Sequence, residues 1–404
     1  MFICRSCSST NFNLLWKLKD AAYGDLFRES KEKAELEATQ PFALGECASC
    51  KLLQLRDQTN LKLQYDSYLY QSKVTVGLNQ YYQKISERIS RSINLRGRRV
   101  IDIGSNDGSF LLYFSNSGLE VLGVEPAQTP AQNAEKSGIP TIRSYFSSEL
   151  ASEILKHYGK AGLVSVNYTL ANVPNINDFL IGTKKLLDDD GLVSIITGYH
   201  PDQFSVNMFD YIGHDHLTYF SFNTLRESLE QAGLRVVSAE RNELKGGSLH
   251  VLAGHIESTK NVDPSINYIK QREDWIWRDN ADGVLGIKSR VEVQKNLVQG
   301  LLSESSVKFL GLGASISTSY LVNEFEISEY IEFLVDDDNL KVSRYSPRFG
   351  IPVISFHDEK VRSYRNAIIL AWQHTNVLMS RLAKSQFKGN VIVPLPNSYA
   401  KSLV

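Results

Sequence analysis

The chain is 404 residues long, with 44 Lys and Arg against 45 Asp and Glu and a formal net charge of −1. That balance excludes a strong electrostatic grip on nucleic acid or on an anionic membrane surface. A hydrophobic content of 42% and a charged content of 22% describe an ordinary globular composition, with length for two or three domains and real cores.

In chain order the first signal is cysteine. Cys4, Cys7, Cys47 and Cys50 are the whole complement, set as two C-x-x-C pairs in CRSC and CASC. Two such knuckles can place four thiolates tetrahedrally round one Zn²⁺, and four thiolates leave no open coordination position, so the expected metal is structural. A single redox pair would leave the second pair unexplained, and disulfides are not expected in a reducing cytosol. The opening stretch MFICRSCSST lacks the charged and apolar regions of a signal peptide, and no apolar run approaches a bilayer span. A cytoplasmic protein is expected. The spacer between the pairs carries a charged helical stretch, RESKEKAELEA, and residues 1–70 are read as the zinc-binding module.

The next block, residues 71–257, opens on VGLNQYYQKISERISRSI, with apolar residues at helical spacing. Strands are predicted at RRVIDI (98–103), LEVLGV (119–124), PTIR (140–143), GLVSVN (162–167), GLVSIIT (191–197), GLRVVSAE (233–240) and SLHVLAG (248–254). Helical stretches such as ASEILKHY and FNTLRESLEQAG separate the earlier ones. The last two are joined by RNELKGG, too short for a parallel crossover, so they should pair antiparallel. Seven strands ending in an antiparallel pair make the α/β sheet of a class I methyltransferase. Beyond a Trp-bearing helical segment, residues 258–404 are again α/β, with buried parallel strands at VKFLGLGA, YIEFLVDD, IPVISF, NAIILAW and NVIVPLP. The fold class is therefore α/β throughout, two doubly wound domains behind a zinc module.

The first strand of the middle block runs into DIGSNDGSFL, where Asp102, Gly104 and Gly108 form a D-x-G-x-x-x-G turn, with Ser105 and Asn106 inside it. Glycines there let a backbone approach a ligand at the carboxyl edge of the sheet. That spacing departs from the G-x-G-x-x-G that a dinucleotide pyrophosphate requires. Glu125 ends the next strand in GVEPA, where an acid can bind both ribose hydroxyls. With the strand order, these residues favour S-adenosylmethionine over NAD, and over a bare strand–helix turn. SYFSS offers Tyr145 and Phe146 either to an adenine pocket or to the core. Asn167 to Asn172 are expected along the pocket floor.

Further on comes IGHDHLTYFS, with two of the eight histidines, His214 and His216, flanking Asp215. The series CRSC…PFALGECASCKLLQL, YLYQS, DIGSNDGSFL, ANVPNINDF, GHDHLTYFS, GGSLHV, DDNLKVSRYSPRFGIPV and AWQH resembles the sugar C-methyltransferase family, along nearly the whole chain. That family methylates nucleotide-linked 4-keto-deoxysugars. The resemblance implies a zinc-binding N-terminal domain, a central S-adenosylmethionine domain, and a C-terminal Rossmann-like domain that helps hold the nucleotide sugar. Carbon 3 is the implied position of transfer.

In relatives the central loop reads Y-H-E-H and its last histidine is the proposed base, a role that maps onto His216, with Asp215 for the acid. The family tyrosine falls on Gly213, while Tyr211 is nearby but out of register. Asn172 stands where relatives often carry a histidine, and GLGASIS lacks the lysine of the usual turn. Tyr68 and Tyr70 in YLYQS are reserve candidates for proton transfer. Gly247, Ser248, Gly311, Arg344 and Tyr345 are expected to contact the acceptor.

The chemistry can be argued without the resemblance. A carbon next to a ketone is acidified because its carbanion delocalises as an enolate, and histidine's unperturbed pKa suits the base that removes the proton. Asp215 could orient the ring. Two other readings of the loop stay open. His214, Asp215 and His216 could bind a metal, though H-x-H needs a third donor, or both histidines could be structural, with Ser221 and Asn223 the better helix caps. At the level of function, O- or N-methyl transfer on a nucleotide sugar, RNA methylation and a non-catalytic sugar-nucleotide-binding scaffold are the alternatives. No nucleic-acid or membrane partner is expected, and the chain should be a monomer or a weak homodimer.

Overall fold

The computed structural model describes residues 2–57, 72 and 77–403. Tyr68 and Tyr70 lie outside the described residues. No helix among the described residues is long and apolar enough to cross a membrane.

The cysteine module is built on three short strands, β1 (Phe12–Lys17), β2 (Ala43–Cys47) and β3 (Leu53–Leu55). They pair antiparallel, and β2 and β3 are buried along their whole length. The expected helix in the spacer is real but short, Lys31–Glu35, capped by the Ser30 side chain on the Lys33 N–H.

The middle block gives all seven predicted strands: β4 (Arg99–Ile103), β5 (Val121–Val124), β6 (Thr141–Ile142), β7 (Ala161–Asn167), β8 (Leu187–Gly198) and, after the small β9 (Thr218–Tyr219), β10 (Leu234–Asn242) and β11 (Ser248–His255). The sheet order is β10-β11-β8-β7-β4-β5-β6. Strand β11 runs antiparallel to both β10 and β8, and the remaining pairs are parallel. Side chains alternate between two cores, as the two-residue strand period requires. Ile101, Val164 and Val193 face the helices Ser148–Tyr158 and Ile176–Leu186, whereas Val100, Leu163 and Leu192 face helix Leu78–Ser92. That last helix buries Leu78, Tyr82, Ile85 and Ile89, a spacing of three and four that puts one stripe on the sheet.

Strand β9 does not join this sheet. It pairs with β3, so the cysteine module's sheet is completed by a piece of the central chain, in the order β1-β2-β3-β9. Helices Ser265–Ile276 and Asn280–Ser303 lead to the third sheet. Its strands are β12 (Phe309–Leu312), β13 (Ile331–Val335), β14 (Val353–Ile354), β15 (Asn366–Ile369), β16 (Gly389–Val393) and β17 (Tyr399–Leu403), in the order β14-β13-β12-β15-β16-β17. Five are parallel as expected; the sixth, β17, pairs antiparallel with β16. It has no buried face, so its sequence carries no alternation to betray it.

One core spans all three blocks. Trp16, Phe42 and Leu53 of the cysteine module meet Phe204, Phe209 and Ile212 of the central chain and Leu321 and Phe325 of the last block. The carboxyl edges of β4 and β12 thereby face a common cleft.

Candidate active site

Each cysteine knuckle repeats one backbone geometry. The first cysteine's carbonyl accepts the N–H four residues on (Ser8, 3.1 Å; Lys51, 2.9 Å), and its own N–H donates to the carbonyl five residues on (Ser9, 2.8 Å; Leu52, 3.0 Å). Ser8 and Lys51 take φ of 61° and 60°, the left-handed turn that brings the second cysteine round. The four Sγ atoms lie within 4.8 Å of one another, with Cys4–Cys50 and Cys7–Cys47 both at 3.6 Å. No pair is at disulfide distance. A tetrahedral ion with S bonds of about 2.3 Å needs sulfurs about 3.8 Å apart, so the donor set fits Zn²⁺.

The cleft holds about 360 Å³ and is walled by all three blocks. On the β4 side, Gly104 (φ 73°) makes the turn; a Cβ there would lie 2.0 Å from Thr169 Oγ1, so the neighbouring loop itself demands glycine. Glu125 accepts the Asn106 N–H at 2.9 Å on one oxygen and the Ala127 N–H at 2.8 Å on the other. The acid thus clamps the turn and still has lone pairs to offer. Burial pushes its pKa up to about 7, as it does for Asp102, which receives Ser165 Oγ at 2.6 Å and Asn167 Nδ2 at 3.1 Å. Asn167 lines the same cleft, and its Oδ1 is buried without a hydrogen-bond partner among the described residues. A donor from a bound group would satisfy it.

Opposite stands the histidine loop. His216 lies with its ring stacked on Tyr211, centroids 4.1 Å apart, and its Nδ1 is 3.5 Å from Asp215 Oδ1. That separation is long for a hydrogen bond but short enough to stabilise an imidazolium. Burial lowers the His216 pKa, Asp215 opposes the shift and Lys245 adds to it, so the ring is neutral at pH 7 and able to accept a proton. The loop is held by the cysteine module: Leu55 N–H donates to Leu217 O at 2.9 Å, and β9 follows directly.

Of the residues expected at the site, Gly104, Asn106, Glu125, Asn167, Asn172, Asp215 and His216 line the cleft. Others are placed elsewhere. Asp102, Ser105 and Gly108 form the layer beneath, Gly108 against Ile139 and Ala134. Phe146 packs on Phe179 in the core, at 5.1 Å between centroids, while Tyr145 is exposed. His214 is buried and stacks on Phe42 at 4.6 Å, its N–H donating to the Tyr320 hydroxyl at 3.1 Å. It caps no helix: Ser221 does so, in a reciprocal pair with Thr224, and Asn223 lies inside that helix. Gly247 abuts Asp202, and Ser248 Oγ donates to Leu244 O at 2.8 Å. Gly311 is wedged between Leu370 and Leu334 inside the third sheet. Tyr345 is tied by its backbone to Arg28, and Arg344 points to Phe27 O at 3.4 Å.

The cleft also holds groups that the sequence did not single out. Ser315 and Ser317 open helix Ile316–Phe325 at the cleft, and Lys341 donates to Ala314 O at 3.0 Å while pairing with Asp25 at 3.0 Å. A lysine is thus present at the third sheet's glycine turn, delivered from another segment. Tyr320, Asp210 and Lys245 also line the cleft.

A seven-stranded sheet with its penultimate position reversed, carrying a glycine turn and a clamping acid at the ends of its first two strands, defines a class I methyltransferase. That class takes its methyl group from S-adenosylmethionine. More narrowly, and in line with the motif series, residues 243–396 match the family described as C-methyltransferase C-terminal domain, and residues 70–239 match a methyltransferase domain family. The chain is 28% identical over 370 residues to the C-methyltransferase NovU of Streptomyces niveus, covering 89% of this chain and 87% of that protein. Among solved structures, a SAM-dependent methyltransferase from Archaeoglobus fulgidus overlaps 43% of this chain and 93% of its own, at 16% identity and a TM-score of 0.37. Magnesium protoporphyrin IX methyltransferase from Synechocystis PCC 6803 overlaps 49% and 88%, at 16% identity and a TM-score of 0.36.

Proposed function

We propose that the protein methylates carbon 3 of a nucleotide-linked 4-keto-deoxysugar, with His216 as the base that forms the enolate. The observation that carries this reading is the imidazole of His216, stacked on Tyr211 with Asp215 Oδ1 3.5 Å away, in the same cleft as the Glu125 turn. Glu125, Asn106 and Asn167 would hold S-adenosylmethionine, whose sulfonium supplies the electrophilic methyl group. His216 removes the proton α to the ketone, and Asp215 stabilises the imidazolium that results. The carbanion, delocalised onto the ketone oxygen, would take up the methyl group as its bond to sulfur breaks, leaving S-adenosylhomocysteine and the imidazolium of His216. The nucleotide part would lie at the turn 311–315, where Ser315, Ser317 and Lys341 offer hydrogen bonds and charge to a diphosphate.

Zn²⁺ is proposed at Cys4, Cys7, Cys47 and Cys50, in a structural role, supported by the paired knuckles and their sulfur spacing. The working division of the chain is 1–70 for zinc, 71–257 for the methyl donor and 258–404 for the acceptor's nucleotide. A cytoplasmic monomer or weak homodimer, acting without nucleic acid, agrees with the balanced charge.

Transfer of an isotopically labelled methyl group to a panel of nucleotide 4-keto-sugars, with the product mapped by NMR, tests the reading. A new carbon–carbon bond next to the ketone is expected. A methylated oxygen or nitrogen would replace it with heteroatom transfer, and no transfer to any member would leave the non-catalytic alternative.

A further inference from the structure

We propose that Asp210 is a specificity residue whose free carboxylate oxygen accepts a hydrogen bond from a ring hydroxyl of the methyl acceptor. The inference rests on reading the cleft as the acceptor's site, and it adds which substituent is recognised and by what. Asp210 stands on the short turn Phe209–Tyr211, lines the cleft and is 1% exposed. Its Oδ2 accepts the indole N–H of Trp372 at 2.9 Å, which fixes the plane of the carboxyl group. Its Oδ1 is buried and has no hydrogen-bond partner among the described residues. A carboxylate oxygen left in that condition is costly, and a ligand donor at the cleft wall removes the cost.

The setting narrows the donor. Burial raises the Asp210 pKa to about 7, and a hydroxyl donating to the carboxyl favours its ionised form. The next residue, Tyr211, stacks on His216 at 4.1 Å between centroids, so the turn that carries Asp210 also packs against the histidine loop. Trp372 and Gln373 come from the third block, and Gln373 shares the cleft wall, so the same segment that braces Asp210 also bounds the acceptor.

The test uses the full chain and matched nucleotide 4-keto-6-deoxyhexoses, one with its ring hydroxyls and others lacking them singly. Two readouts are taken, kcat/KM for methyl transfer and the ¹H–¹⁵N resonance of the Trp372 indole, assigned with Trp372→Phe. The wild type should prefer one hydroxylated compound over its deoxy analogue by about ten- to a hundredfold. Asp210→Asn keeps an acceptor for Trp372 but turns an amide N–H₂ to the cleft, and should bring that preference close to one with methyl-donor affinity unchanged. The indole resonance should move on binding the hydroxylated compound and much less with the analogue. An unchanged preference in Asp210→Asn, a preference for an amino over a hydroxyl substituent, or binding that leaves the indole resonance still would overturn the assignment while the transfer reading stands. If no compound of the set binds, both fall.

Discussion

The ring of Tyr320 occupies the space that a side chain at Gly213 would need: a Cβ there would lie 2.7 Å from its Cε2 and 2.5 Å from Asp215 Oδ1. A phenol brought by the third block therefore fills the position beside His214 and Asp215, and its hydroxyl takes the His214 N–H. Gly213→Ala should overpack this contact and cost about 1–3 kcal/mol of stability. Combining it with Tyr320→Ala should recover part of the loss relative to the sum of the single changes. Denaturant midpoints measure both, and an alanine at 213 with wild-type stability would mean the contact yields freely.

His216→Asn should lower the rate by about 10²- to 10⁴-fold and leave methyl-donor affinity intact. Asp215→Asn should cost less, and His214→Asn, at a buried stacked ring, should act mainly on stability. Solvent deuterium exchange at the carbon next to the ketone, measured without methyl donor, isolates the proton step. Exchange at the wild-type rate in His216→Asn would move the base elsewhere, with Tyr68, Tyr70 and Tyr211 next in line. Because burial lowers the His216 pKa, the acid limb of kcat/KM should fall below pH 6.5.

Glu125→Ala should weaken S-adenosylmethionine binding by roughly 1.5–3 kcal/mol, ten- to a hundredfold, without unfolding the chain. The cause is double: loss of a charged acceptor and release of the Asn106 turn it clamps. Calorimetry that finds the affinity unaltered would remove Glu125 from the site.

Asp102 gives a pH signature. Burial raises its pKa from 3.8 to about 7, so the unfolded chain ionises first and folding stability from this group declines as pH rises between those values. Asp102→Asn should therefore gain stability relative to the wild type as pH increases from 5 to 8. A difference that stays flat with pH would contradict the assignment.

About one Zn²⁺ per chain should survive purification, since a closed thiolate site releases metal slowly. Cys47→Ser should loosen the N-terminal module and, through the β3–β9 pairing, slow turnover more than it weakens methyl-donor binding. Metal analysis finding a folded, zinc-free chain would sink the idea.

The central sheet was legible because its strands are apolar runs bounded by Gly, Asn and Asp, and its turn because Gly104 and Glu125 end consecutive strands. What escaped notice comes from assembly. Lys341 reaches the cleft, whereas Arg344, three residues on, is drawn aside by the pairing of Tyr345 with Arg28, a contact with no local signature. Asp210 and Tyr320 look like core residues in sequence and become cleft residues only when two blocks close on each other. Phe146 shows the converse, an aromatic of the central block offered to an adenine pocket whose partner is Phe179 in the core.

The pairing of β3 with β9 has a bearing on how such enzymes diversify. The strand after His216 is hydrogen-bonded to the cysteine module on one side, and the residue before Asp215 is held by Tyr320 of the third block. The histidine loop is therefore held as a junction between blocks and not by the central block that encodes it alone. Recombination that exchanges only the acceptor-binding half would break one of its two supports. New acceptor specificities should therefore spread by substitutions within an intact set of three blocks, and chimeras should work only when residues 211–219 come from the same parent as residues 2–57 and 309–403.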